Sequence, residues 1–264
     1  MGQERIIHAA LLGAGTVGSG VYKLVKDLEE EIISKTGARL VVDKILVRDT
    51  TKAREGIPSE LLIDRWDEIL NDPQIEIVIE VMGGIRPALT WLEEALRAGK
   101  QVVTANKDLL AEYGEQLFDA AEAGKCDLHF EAAVAGAIPI IRPLRQSLVA
   151  SELTEVMGIV NGTTNYILTR MTEDGMGYEE ALALATKLGY AESDPTADVE
   201  GYDAGRKVAI MASIAFNSNV TFSQVYTEGI THITAEDIRY AKEFGYVIKL
   251  IGMTRLTEGG VEVK

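Results

Sequence analysis

IIHAALLGAGTVGSGVYKLV, residues 6–25, runs from an apolar segment of strand length into a glycine turn and out into a helical pattern. Gly13, Gly15 and Gly18 stand at G-x-G-x-x-G spacing, and each meets a separate demand. Gly13 makes the tight turn, Gly15 lets backbone approach a pyrophosphate, and Gly18 lets the helix pack closely on the strand. A helix follows directly, its N-terminus facing such an anion, and Thr16 and Val17 within the turn are further candidate cofactor contacts. The spacing alone is weak evidence. Placed between a strand and a helix, it marks a dinucleotide site.

Outward from this turn, short apolar runs alternate with amphipathic stretches, the rhythm of βαβ units and a parallel sheet. Strands are expected at residues 6–12, 40–47, 75–81, 101–104 and 128–131. Between them, VYKLVKDLEEEIISK and PALTWLEEALRAGK carry helical spacing, the second opened by Pro87 and closed at Gly99. After GAIPIIRPL the pattern changes to an apolar segment, LTEVMGIV, the turn-rich NGTTN, and helices near residues 178–188, 203–216 and 235–244. A strand is expected in YVIKLIGMTRL, then the turn TEGG, then only VEVK. The fold class is therefore α/β, a Rossmann-type doubly wound parallel sheet followed by a second, incomplete α+β domain. The boundary is expected near residue 138, giving a dinucleotide-binding domain at 1–138 and a substrate domain at 139–264.

Composition narrows the function. The net charge of −15 provides no basic stripe to displace counterions from a nucleic acid. Cys126 is the single cysteine, so an intrachain disulfide or a cysteine metal cluster is excluded by counting. No stretch reaches the roughly 18 unbroken apolar residues of a membrane helix. The opening MGQERIIHAA has neither a signal-peptide pattern nor the Ser or Thr at position six that myristoylation needs. The expectation is a cytoplasmic enzyme without nucleic-acid or membrane partners.

Three further strand ends carry candidate cofactor contacts. The second strand ends LVRDTTKAR, where Arg48, with Lys52 and Arg54 near, favours the 2′-phosphate of NADP, and Asp49 keeps NAD open. Lys52 and Arg54 read better as solvated loop charges. Gly83 in VIEVMGG permits close backbone approach, and VVTANKDLL brings Thr104 and Lys107 to the same edge of the sheet.

DPTADVEGYDAGRKVAI, residues 194–210, places several carboxylates ahead of a lysine and then turns apolar. Asp203 and Lys207 are one helical turn apart, on the face that continues into the apolar VAIMASIAF. Burial penalises an ammonium ion, so Asp203 is its required partner. Such a lysine can pass a proton to or from an alcohol or carbonyl oxygen, which is a dehydrogenase's need. Of the upstream carboxylates Glu192, Asp194, Asp198 and Glu200, Glu200 reads better as a cap or solvated loop charge, and at least one of the others suits a substrate ammonium group. His8, His129 and His232 read as structural.

GAGTVG, VVTANKDLLA, FEAAVAGAIPII, GIVNGTTNYIL and GYAESDPTADVEGYDAGRK together resemble homoserine dehydrogenase, in that family's order. The resemblance implies NAD(P)-dependent interconversion of L-homoserine and L-aspartate 4-semialdehyde, on the route to threonine, methionine and isoleucine. It implies that Lys207 is the catalytic lysine and Asp203 its orienting partner. Glu192 matches the residue that binds the substrate amino group, Asp198 a nearby active-site carboxylate, and Lys107 a position contacting both cofactor and substrate. It further implies a homodimer, and a sodium ion held by Glu131 and the backbone carbonyls of Val134, Gly136 and Ile138. Family members continue beyond KLIGMTRLTEGGVEVK with further strands and a helix, so the second domain is expected to be incomplete. Two rivals stay open: an oxidoreductase with the same turn acting on another alcohol, and a dinucleotide-binding chain without turnover that needs the missing segment.

Overall fold

A computed structural model describes residues 5–264 of the chain. The reading of residues 1–4 as free of a targeting signal lies outside the described residues. The chain divides into two compact units, the first ending at Ala133 and the second spanning Val134–Lys264.

The first unit contains β1 (Arg5–Leu12), α1 (Thr16–Asp27), α2 (Glu29–Thr36), β2 (Ala38–Leu46), β3 (Leu62–Ile63), α3 (Asp67–Leu70), β4 (Ile75–Glu80), α4 (Ala88–Arg97), β5 (Gln101–Thr104), α5 (Lys107–Gly124) and β6 (Leu128–His129). Its six strands pair parallel in the order β3-β2-β1-β4-β5-β6. The doubly wound sheet expected from the glycine turn is thus present. The chain works outward from β1 to β3, then returns to the other side of β1 at β4, which puts the switch point between β1 and β4. Register makes that point usable: Leu12 pairs with both Leu46 and Glu80, and Glu80 with Thr104. Four strand ends therefore stand level along one edge.

Burial explains these elements. Ala9 to Leu12 are fully buried, as the continuous apolar run of a central parallel strand requires. The segment expected as one helix after the glycine turn forms two, broken at Leu28, whose φ of −107° and ψ of 20° leave the helical region. Gly37, in the left-handed region at φ 72°, closes the second. His8 is structural, its Nδ1 lying 2.5 Å from Asp43 Oδ2 on the neighbouring strand.

The second unit contains β7 (Glu155–Gly158), α6 (Gly162–Asp174), α7 (Tyr178–Lys187), α8 (Thr196–Val199), α9 (Tyr202–Ala215), α10 (Ala235–Glu243), β8 (Gly252–Thr257) and β9 (Gly260–Val263). The three strands form an antiparallel sheet in the order β7-β8-β9. Ile167, Leu168 and Met171 of α6 pack with Ala181 and Ala185 of α7, Val199 and Ile238 in one core. β8 crosses α9 so tightly that a Cβ on Gly252 would lie 2.4 Å from Val208 Cγ2. The strand expected from Tyr246 starts only at Gly252. Ahead of it, the Asn165 side chain accepts from the Leu250 N–H at 3.1 Å and donates to the Leu250 carbonyl at 2.9 Å, replacing a strand partner. Among the described residues, no helix is long and apolar enough to cross a membrane.

Candidate active site

Each unit gathers part of the chemistry. In the first, β1 delivers the chain to Gly13, which adopts φ +100°, a conformation few side chains tolerate. A Cβ at Gly18 would lie 2.1 Å from the Gly13 carbonyl oxygen, so only glycine lets α1 begin this close to the strand. Gly15, the N-cap of α1, differs: a Cβ there meets nothing within 4 Å. The N-cap is a glycine with no side chain to cap the helix, and the first turn has no acidic residue, so Thr16, Val17 and Gly18 present N–H groups at a positive end. An open cradle in front of uncapped N–H groups fits a pyrophosphate.

Level with that turn, Glu80 is fully buried at the end of β4. Its Oε1 accepts from the N–H groups of Met82 at 2.8 Å and Gly83 at 3.0 Å, and its Oε2 accepts from Thr104 Oγ1 at 2.6 Å. Thr104 Oγ1 in turn accepts from the Asn106 N–H, and Asn106 Nδ2 donates to the Gly84 carbonyl at 2.6 Å. The loops after β4 and β5 are thereby locked together, with Gly83 and Gly84 both in the left-handed region at φ 72° and 74°. The Thr104 hydroxyl, a candidate cofactor contact, is already committed to Glu80, leaving its backbone for a ligand. Lys107 is half-buried as the first residue of α5.

After β2, Arg48 is exposed. Asp49 turns inward on its own loop, its Oδ1 accepting from Thr51 Oγ1 at 2.6 Å and the Thr51 N–H at 2.9 Å. These bonds hold its carboxyl below the usual range. Arg54 donates to the Asp49 and Lys52 carbonyls, consistent with a loop-bracing role.

In the second unit, Lys207 lies on α9 with its side chain 17% exposed beside an Asp203 side chain at 11%. Lys207 Nζ donates to Asp203 Oδ2 at 2.6 Å and to the Val160 carbonyl at 2.7 Å. The amine is held by protein rather than left to bulk water. Asp198, on α8, is joined to Asp203 through Asn161, whose Nδ2 donates to Asp198 Oδ1 at 2.7 Å and to Asp203 Oδ2 at 2.8 Å. Glu192 is exposed. Asp194 caps its own loop by accepting from the Thr196 N–H, and the Thr196 bonds keep its carboxyl low. Asn161 and Glu80 were not singled out from sequence. A signal existed for both: an asparagine directly before a helix, and a carboxylate ending an apolar strand.

The turn at residues 131–138 links the units. Ala135 at φ 51° and Ala137 at φ 66° flank Gly136 in the left-handed region, and Ile138 is 68% exposed. Among the described residues, no group of three or more His, Cys, Asp or Glu side chains is placed to hold a metal ion.

A glycine turn at the switch point of a doubly wound sheet, with an uncapped helix behind it, defines a dinucleotide-binding α/β protein. Residues 13–131 match the family model described as the NAD binding domain of homoserine dehydrogenase, and residues 139–264 the one described as homoserine dehydrogenase. The chain is 46% identical to homoserine dehydrogenase of Bacillus subtilis over 98% of its own length and 60% of that protein's. The solved homoserine dehydrogenase of Thiobacillus denitrificans superposes with a TM-score of 0.92 at 45% identity, covering 98% of this chain and 60% of that one. A structure from Archaeoglobus fulgidus, solved under the same family name, is 33% identical at a TM-score of 0.83, with 82% of its length covered. The chain belongs to the homoserine dehydrogenase family, and its first unit is a nicotinamide-dinucleotide-binding domain. It spans about 60% of the length of the curated relatives it matches.

The open space at Gly15 generates a separable outcome. Gly15→Val should leave the melting temperature of the unliganded chain within about 2 °C of wild type, because nothing is near enough to clash. It should also abolish the rise in melting temperature that saturating NADP or NAD produces in the wild type. Thermal melts with and without nucleotide check both.

Proposed function

We propose that the chain interconverts L-homoserine and L-aspartate 4-semialdehyde, with NADP as its preferred cofactor, in the cytoplasm on the route to threonine, methionine and isoleucine. The observation that carries this reading is the Lys207 amine, held one helical turn above Asp203 at the start of an apolar helix. When bound, the nicotinamide supplies the hydride acceptor or donor. Lys207 takes the hydroxyl proton as homoserine is oxidised, and returns it to the carbonyl oxygen in the reverse direction. Asp203 and the Val160 carbonyl fix where Nζ sits, and the low exposure of the pair keeps competing water away. Glu192 and Asp198 supply negative charge for the substrate ammonium group, and Lys107 contributes a cation toward cofactor and substrate.

The preference for NADP rests on the loop after β2. Asp49 spends one carboxylate oxygen on Thr51, whereas the Arg48 guanidinium is exposed to solvent. An exposed guanidinium suits a 2′-phosphate. The reading includes a sodium ion held by Glu131 and the carbonyls of Val134, Gly136 and Ile138, all hard oxygen donors, supported by the paired left-handed alanines of that turn. It also includes a homodimer, supported by exposed Met157 and Ile159 at the end of β7 in the second unit's sheet.

Incubated with L-homoserine and oxidised cofactor, the purified chain should produce reduced nicotinamide. Lys207→Ala should lower kcat by about 10²- to 10⁴-fold while leaving the nucleotide KM near wild type. Nucleotide-dependent stabilisation with no homoserine-dependent reduction would overturn the catalytic assignment for this chain. Arg48→Ala should raise the KM for NADP about 10-fold or more and leave that for NAD within about twofold. Light scattering should give twice the chain mass, and melting temperature should be higher in sodium chloride than in choline chloride at equal ionic strength.

A further inference from the structure

Asn161 ends the segment that precedes α6 and is 4% exposed. Its side-chain oxygen accepts from the Thr164 N–H at 2.9 Å and from Thr164 Oγ1 at 2.8 Å. Those two donors determine which way the amide faces, so the NH₂ group is turned toward the carboxylates. There it donates to Asp198 Oδ1 and Asp203 Oδ2, bringing two acids from different helices to one nitrogen. The preceding carbonyl, of Val160, accepts from the Lys207 ammonium. Two consecutive residues thus contact every charged group of the cluster: Asp198 from α8, and Asp203 and Lys207 from α9. The neighbours on the α6 side, Thr164 and Asn165, are uncharged.

We propose that Asn161 is the positioning residue of this site, a buried amide that holds Asp198 and Asp203 together as anions and, through Asp203, sets where the Lys207 amine sits. The proposal rests on the reading of Lys207 and Asp203 as the catalytic pair. Two carboxylates this near each other repel, and a donor bonded to both offsets the repulsion without adding charge. A lysine serving that role would neutralise the site. An amide leaves its charge intact.

Two variants of the full chain separate bridging from helix capping. Aspartate caps a helix about as well as asparagine, so Asn161→Asp keeps the acceptor for Thr164 but puts a third carboxylate where the donor was. Asn161→Ser keeps a capping oxygen, adds no charge and is too short to bridge. With homoserine and NADP, both should lower kcat by about 10-fold or more and leave the nucleotide KM within about twofold. The second readout needs no activity. A carboxyl crowded by two others has its folded pKa raised above the unfolded one, so stability is retained at low pH and lost as pH rises through the folded value. The N161D melting temperature should therefore fall progressively below wild type as pH rises above about 4, the ordinary aspartate value, by roughly 3 to 8 °C at about pH 8, and the N161S difference should stay constant. Wild-type melting and wild-type kcat in N161D would overturn the proposal, as would equal, pH-independent losses in both variants. The expected pH-dependent loss in a wild-type background that does not oxidise homoserine would support the bridge and remove the catalytic reading instead.

Discussion

A carboxylate taken out of water must be solvated by something else, and Asp203, 7% exposed, is where the second unit meets that demand. Its Oδ2 receives an ammonium from its own helix and an amide from another segment, so both donors are protein groups with fixed origins. The surrounding backbone leaves little room for relaxation. A side chain on Gly205 would come within 2.8 Å of the Phe222 ring, and one on Gly229 within 2.2 Å of the Val199 carbonyl. The start of α9 and the end of α8 are therefore packed closely against their neighbours. Val208 to Ala212 continue the helix into the core, which sets the end of the lysine's reach.

The first unit handles a buried acid differently. Glu80 is held by two backbone N–H groups and a hydroxyl. Those bonds shape the Gly83–Gly84 loop and tie it to Asn106, so strand ends placed by register become a fixed rim. Here the acid serves the backbone. In the second unit the backbone serves the acid.

The glycine turn was legible because each glycine answers a local steric demand, and a demand of that kind shows in spacing alone. The alternating apolar runs located the five main strands of the parallel sheet for the same reason. β3 was not legible, since Leu62 and Ile63 are too few to show a period and owe their assignment to pairing with β2. α6 was read as turn because NGTTN is rich in helix-poor residues. It forms because Asn161 caps it and Ile167, Leu168 and Met171 are buried. The break at Leu28 carries no glycine or proline to announce it. At the site, the Asp203–Lys207 pair followed from helical spacing, whereas the local signals of Asn161 and Glu80 show only a cap and a strand end, and the partners 42 and 24 positions away that give them a role in the site leave no local pattern.

The capping role of Asn161 has a thermodynamic side. Its oxygen nucleates the first turn of α6 while its nitrogen contacts the acids, so one rotamer serves helix initiation and site assembly together. Fraying of that turn would disperse the charge cluster in the same event. A molecule in which the turn has opened thus loses helix cap and charge cluster together, and the fraction with the cluster assembled follows the local opening equilibrium of one helix end.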